Sequence, residues 1–211
     1  MRVIILAAGQ GTRLRPLTND KPKCMVELNG KPLIEYQLNL FEKFGIEDVN
    51  VVTGYLGEGI EFKGVNKFYN PKFDGTNMVS TLFCAGELFD GTDDILISYG
   101  DIVYNDSVLN AVEQSNAQIN VVVDKNWREY WEARMEDPLS DIETLKIDKN
   151  GYIKELGKKP NSYNDIEGQY IGLIKIRKDV VKQVKDYYEN LDERALYDGK
   201  DYDNMSMTSF L

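Results

Sequence analysis

Residues 3–23 read VIILAAGQGTRLRPLTNDKPK, an apolar run that passes straight into a turn carrying Gly9, Gly11, Arg13, Arg15, Lys21 and Lys23. An apolar, β-branched start of this length reads as a buried strand. The turn itself is pliant backbone with four cations. Glycine lets the main chain come close to phosphate oxygens, and its bare N–H groups donate to them. The stretch predicts a polyphosphate socket at the carboxyl end of the first strand. Spelling excludes two familiar phosphate loops. A dinucleotide fingerprint needs a third glycine where Leu14 stands, and the chain's three Gly-Lys pairs run on into Pro32, Lys159 and Asp201 rather than the Ser or Thr of a P-loop. The bland alternative is an ordinary turn with solvated cations.

Outward from this stretch, apolar runs at 3–7, 49–53, 95–99 and 119–123 alternate with helix-like segments at 32–44, 77–88 and 105–115. That order predicts an α/β fold with a mostly parallel central sheet flanked by helices. After residue 140 come two short strands joined by Lys149-Asn150-Gly151, a strand QYIGLIKI, and a helix from Lys178 to about Asn190. This second half is expected to lay a small antiparallel lid beside the sheet, with residues 161–165 as its most mobile loop. Parallel sheets take ligands outside the carboxyl ends of their strands, so the Gly9 turn and Gly100-Asp101 should face one crevice.

The 211 residues suit one domain with a proper core. No apolar run approaches the ~20 residues of a membrane span, and the first strand lacks a signal peptide's cleavage region, so a cytoplasmic protein is expected. Cys24 and Cys84 have no metal-ligand spacing and read as packing residues. The net charge of −10 argues against nucleic-acid or acidic-membrane partners. Residues 1–31 nevertheless carry +4 and the other 180 carry −14. A positive socket in an acidic body favours a small, multiply charged anion. Histidine is absent, so serine-histidine and cysteine-histidine hydrolases are excluded.

LAAGQGTRLRPLT…PK resembles the signature of the sugar-phosphate-type nucleotidyltransferases, LAAGxGxRLxPLTxxxPK. Further along, GTNMVSTLFCA (75–85), SYGD (98–101), DKNWREYWEARMEDP (124–138), ELGKKP (155–160) and GQYIGLIKI (168–176) resemble the branch containing the phosphocholine, phosphoglutamine and aminophosphonate cytidylyltransferases. The similarity spans the chain. It implies a Rossmann-like single domain over 1–211, with 1–125 as nucleotide-binding core and 126–211 as acceptor-binding lid and C-terminal helix. It also implies CTP and a small phosphorylated acceptor as partners, Mg²⁺ as cofactor, and admits a homodimer.

Under that resemblance Leu6, Ala7, Ala8, Gly9, Gly11, Thr12 and Arg13 form the triphosphate loop. Arg13 clamps the phosphates with its planar fork, and Lys23 sits between α-phosphate and acceptor. Asp101, at a strand's carboxyl end, suits Mg²⁺, which takes a few carboxylates plus phosphate oxygens; Gly-Asp is also a common turn pair. Asn70, Thr76, Asn77 and Ser80 are expected to read the base, although Thr76 or Asn77 serves equally as a helix cap. Trp127, Trp131, Tyr202 and Asp203 suggest a box for a cationic head group, against which stands the core packing usual for aromatics at i and i+4. Lys159 matches the lysine that holds the acceptor phosphate.

Two departures qualify the resemblance. Lys158 stands where sugar nucleotidyltransferases usually carry an acid, which points away from sugars. Relatives usually continue into a strand whose Asp supplies a second metal carboxylate, and this sequence stops at Phe210-Leu211, leaving Asp201, Asp203 or a partner chain as substitutes. A sugar-1-phosphate nucleotidyltransferase using UTP or dTTP, and a catalytically reduced nucleotide-binding regulatory domain, are the alternatives.

Overall fold

Strand β1 (Arg2–Ala7) is buried over Val3–Ala7 because its alternate residues meet two different cores. Val3 and Ile5 join one cluster and Ile4 and Leu6 the other, as the two-residue period of a strand requires. A strand covered on both faces needs an uninterrupted apolar run. The computed structural model describes residues 1–211.

After β1 the chain forms the hairpin β2 (Glu27–Leu28) and β3 (Lys31–Pro32), α1 (Leu33–Lys43), β4 (Val49–Thr53), β5 (Val65–Tyr69), α2 (Met78–Phe83), β6 (Ile95–Tyr99), α3 (Asp106–Gln114), β7 (Ile119–Asp124) and α4 (Trp127–Arg134). Then come β8 (Leu145–Ile147), β9 (Ile153–Leu156), β10 (Gln169–Ile176), α5 (Lys178–Glu189) and α6 (Met207–Phe210). The main sheet has the order β5-β4-β1-β6-β10-β7, parallel throughout except for β10. Phe41 of α1 and Leu109 of α3 cover one face; Val79 and Leu82 of α2 with Val180 and Val181 of α5 cover the other.

The α/β architecture, mostly parallel sheet and flanking helices match the expectation, and four details differ. β10 does not join the lid: QYIGLIKI runs antiparallel between β6 and β7 in the main sheet, and only β8 and β9 form the separate hairpin. β5 escaped notice because VNKFY is a half-exposed edge strand with Asn66 and Lys67 in solvent. The helix expected over 77–88 ends at Phe83, and Gly86–Leu88 forms a separate 3-10 turn. Residues 161–165, expected to be mobile, are pinned by a capping box in which Asp165 accepts the N–H groups of Asn161 and Ser162, each at 3.0 Å.

Candidate active site

β1 leads to β4 on one side of the sheet while β6 lies on its other side, so the strand order reverses between β1 and β6. A crevice opens at the carboxyl ends of strands around such a point. Here it is about 210 Å³ and is lined by Leu6, Ala7, Gly9, Gly11, Thr12, Arg13, Lys23, Cys24, Met78, Gly100 and Asp101. Eight of these residues were expected for nucleotide, catalytic or metal roles. Gly100 was expected at the crevice only as the neighbour of Asp101, and Met78 and Cys24 were not expected there.

The loop's shape has local causes. Gly11 sits at φ 61°, and a β-carbon there would come within 3.0 Å of Lys23 Cβ and 3.1 Å of Thr18 Cγ2. No other residue fits both the left-handed backbone and that contact. Thr18, fully buried, donates its hydroxyl to the Gly11 carbonyl at 2.9 Å. Ala8 is buried behind the turn and accepts the Tyr55 N–H at 2.9 Å, tying the loop to the end of β4.

The charged groups converge. The Lys23 ammonium pairs with the Asp101 carboxylate across the crevice, with side chains 35% and 26% exposed. Arg13, in a 3-10 turn and 85% exposed, reaches Asp141 at 3.8 Å. Asp101 is held in place from below. The Gly100 N–H donates to the Leu6 carbonyl at 2.9 Å. Buried Gln37, on α1, donates to the carbonyls of Tyr99 and Ile102, both at 2.8 Å, and accepts the Ser98 hydroxyl at 2.7 Å. Sequence reading missed Gln37, because one polar residue on an amphipathic helix looks like a solvated one.

The residues expected to read the base have other work. Asn70 is buried; its amide donates to the hydroxyls of Thr76 at 2.9 Å and Thr81 at 3.0 Å, and its oxygen accepts the Lys72 N–H at 2.9 Å. It braces the 70–76 loop and has no free donor for a ligand. Thr76 in turn donates to the Lys72 carbonyl at 2.9 Å. Asn77 caps α2 and donates to the Asn204 carbonyl at 3.2 Å, and Ser80 donates to the Asp203 carbonyl at 2.9 Å. These contacts bind α2 to the segment before α6.

The expected cation box is not assembled. Trp127 is buried with Ile142 and Ile166, and Trp131 packs against that same cluster. Tyr202 belongs to a different cluster, stacked on Tyr188 of α5 at 5.1 Å. Arg134 already lies over the Trp131 ring at 5.1 Å, and Arg128 over Tyr163 at 4.6 Å. The core reading of the tryptophan pair is the one the fold realises. Asp203 is exposed, and Asp201 accepts the Asn204 N–H at 2.9 Å within a turn. No group of three or more Cys, Asp or Glu gathers to hold a metal, and Asp101 is the one carboxylate that lines the crevice. That donor set fits Mg²⁺ when substrate oxygens and water supply the remaining ligands. Lys159 is exposed just beyond β9.

A glycine-bearing turn with two cations facing a carboxylate, at the switch point of a mostly parallel sheet, has the make-up of a nucleotidyltransferase site. The pattern of the MobA-like NTP transferase domain matches residues 3–201, and the chain belongs to that family. It is 46% identical over its whole length to a CTP:phosphoglutamine cytidylyltransferase of Campylobacter jejuni, covering 87% of that protein. A choline-phosphate cytidylyltransferase of Streptococcus pneumoniae is 43% identical over 41% of this chain and 40% of its own. Among solved structures, the CTP:phosphocholine cytidylyltransferase of S. pneumoniae superimposes with a TM-score of 0.66 at 23% identity, covering 88% of this chain and 75% of that one. The inositol-1-phosphate CTP transferase of T. maritima gives 0.70 at 22% identity, over 99% and 78%. These two likenesses concern the fold.

Proposed function

We propose that the chain transfers CMP from CTP to the phosphate of a small phosphorylated amine or amino acid, releasing pyrophosphate, with Mg²⁺ held at Asp101. The convergence of Arg13, Lys23 and Asp101 on one crevice carries this reading, and the full-length similarity to a phosphoglutamine enzyme supports the choice of CTP and acceptor. An acceptor phosphate oxygen attacks the α-phosphorus, the bond to the bridging oxygen breaks, and pyrophosphate departs. A phosphomonoester has its second pKa near ~6, so the nucleophile is already ionised at neutral pH and a histidine-free chain needs no general base.

What remains for the protein is alignment and charge neutralisation. Arg13 grips the triphosphate, and Lys23 bridges α-phosphate and acceptor. Bound Mg²⁺ would neutralise the phosphate oxygens and the developing charge on pyrophosphate. The backbone N–H groups around Gly9 and Gly11 complete the cradle. Residues 1–125 form the nucleotide half and 126–211 the acceptor half. No helix is long and apolar enough to cross a membrane, and two unpaired cysteines suit the reducing cytosol; we place the enzyme there. The test is a panel of acceptors with CTP and Mg²⁺, read as pyrophosphate. Turnover of phosphoglutamine, phosphocholine or an aminophosphonate is expected. Turnover of a sugar 1-phosphate with UTP or dTTP, all of these staying inert, would overturn the reading.

A further inference from the structure

With Trp127 buried and Trp131 covered by Arg134, the amine of such an acceptor needs another partner. Glu143 stands out. It lies between Pro138–Ser140 and β8, is half-buried, and makes no ion pair. Arg2 compensates Asp48 and Lys175 compensates Asp94, whereas Glu143 has only the Thr208 hydroxyl beside it, with Lys200 and the like-charged Asp141 farther off. Burial accordingly raises its proton affinity. A carboxylate removed from water without a cation is costly, and a bound ammonium would relieve that cost.

Its surroundings suit such a guest. Glu143 is clasped beside Tyr170: its carbonyl accepts the Gln169 amide at 2.6 Å and its N–H donates to the Gln169 oxygen at 3.4 Å. The Tyr170 ring meets Tyr99 edge-on at 5.8 Å, and the Tyr170 hydroxyl is buried without a hydrogen-bond partner. The Tyr99 ring is seated against Gly172, at φ 85° in the β10 bulge, where a β-carbon would come within 2.5 Å of the ring. Tyr99 is also the residue from which Gly100-Asp101 departs. One phosphate-seeking cation reaches the same segment, and the backbone before another is tied to it. Asp141, two residues away, pairs with Arg13. Thr144 joins the turn before Lys159, its N–H donating to the Lys158 carbonyl at 2.8 Å and its hydroxyl accepting the Lys158 N–H at 3.2 Å. An acid without an ion-pair partner, two residues from the acid that holds Arg13, matches a ligand with phosphate at one end and an amine at the other.

We propose that Glu143 holds the acceptor's amine, with Tyr99 and Tyr170 as the walls of that subsite, so that it sets preference for amine-bearing phosphates. This assignment rests on the acceptor class proposed above. The test uses acceptor pairs that differ only in the amine: phosphoethanolamine against ethyl phosphate, and phosphoglutamine against its deamino analogue. Calorimetry with Mg²⁺ and a non-hydrolysable CTP analogue measures binding, and pyrophosphate release measures turnover. The native protein is expected to favour the amine member by about 10- to 100-fold, the range of one charge-assisted hydrogen bond. Glu143→Gln should collapse that ratio to near unity while leaving affinity for ethyl phosphate and for the CTP analogue unchanged. Glu143→Asp, which keeps the charge, should restore part of it. A ratio that survives Glu143→Gln, or a native protein that binds both members equally, overturns the assignment. A native protein that releases no pyrophosphate with any acceptor sinks the cytidyl-transfer reading instead, and the binding ratio still decides on Glu143.

Discussion

Lys23 and Asp101 neutralise each other across the crevice, the cation from the turn after β1 and the carboxylate from the tip of β6. On the reading proposed above, a metal-bound triphosphate would draw Asp101 to the metal and free Lys23 toward phosphate. Asp101→Asn separates these two effects. Turnover should fall by at least about 10²–10³, the usual loss when a group stabilising transition-state charge is removed. Metal-free binding of pyrophosphate should tighten, because Lys23 no longer has an acid to satisfy. Titration calorimetry in EDTA checks the second half; weaker pyrophosphate binding by the variant would refute the pairing.

Arg13 is largely exposed and its one acidic neighbour, Asp141, is 3.8 Å away, so little in the fold depends on it. Its value lies in the planar fork. Arg13→Lys keeps the charge and loses the second hydrogen bond, which predicts about a 10- to 100-fold drop in kcat/KM for CTP. The melting temperature should be unchanged, and a matched loss of stability would point to a structural role.

Gln37 braces the turn that carries Asp101 through the carbonyls on either side of it. Gln37→Leu strips partners from the carbonyls of Tyr99 and Ile102 and the hydroxyl of Ser98, at about 1–3 kcal/mol for each buried group left unpaired. Chemical denaturation should show that loss. Because the turn carries Asp101, the concentration of Mg²⁺ needed for half-maximal rate should rise as well, which a purely stabilising residue would not cause.

The parts legible in the sequence were those in which one physical requirement fixes the residue pattern. β1 and β6 are covered on both faces, so their apolar runs are continuous. The phosphate turn is local, and its glycines and cations lie within one short segment. The meeting of Lys23 and Asp101 follows from the rule for parallel strand ends. Residues whose role depends on distant partners were not legible. Asn70 as a brace, Gln37 as a support and Glu143 as a lone half-buried acid each acquire meaning from chains that fold against them. The tryptophan box was not assembled for the same reason: Trp127 and Tyr202 are joined by chemistry on paper and pack into different clusters in space.

Acid stability follows from the carboxyls around Arg2. Burial tends to raise the pKa of Asp48, but hydrogen bonds from Arg2 and Asn50 outweigh it and bring the value below normal. Asp90, held by the hydroxyl and N–H of Thr92 and then by Arg2, is drawn down to about 2. Groups with depressed folded-state pKa values stabilise the fold above the unfolded value, near ~3.9 for Asp, and lose that contribution as pH falls through the folded value. Melting temperature should therefore fall between about pH 4 and pH 2. Asp90→Asn should flatten that limb; an unchanged slope would show that other carboxyls control it.

Glu143 has the opposite sign. Its folded-state pKa is raised, chiefly by burial, so the folded chain binds that proton more tightly than the unfolded one. The protonated group costs the fold little. As pH rises from the unfolded value through the higher folded value, the carboxylate ionises in an unfavourable site, and stability is lost and stays lost at neutral pH. Glu143→Gln should therefore melt higher than the native protein at pH 7, with the advantage disappearing in acid where both side chains are neutral. Lys200 and Asp141, which act on the same carboxylate in opposite directions, must remain intact for the comparison. An amine-bearing phosphate should raise the native melting temperature more than that of the variant, narrowing the gap. A variant that melts lower than the native protein at neutral pH would show that Glu143 is already satisfied in the free chain and has no need of a cationic ligand.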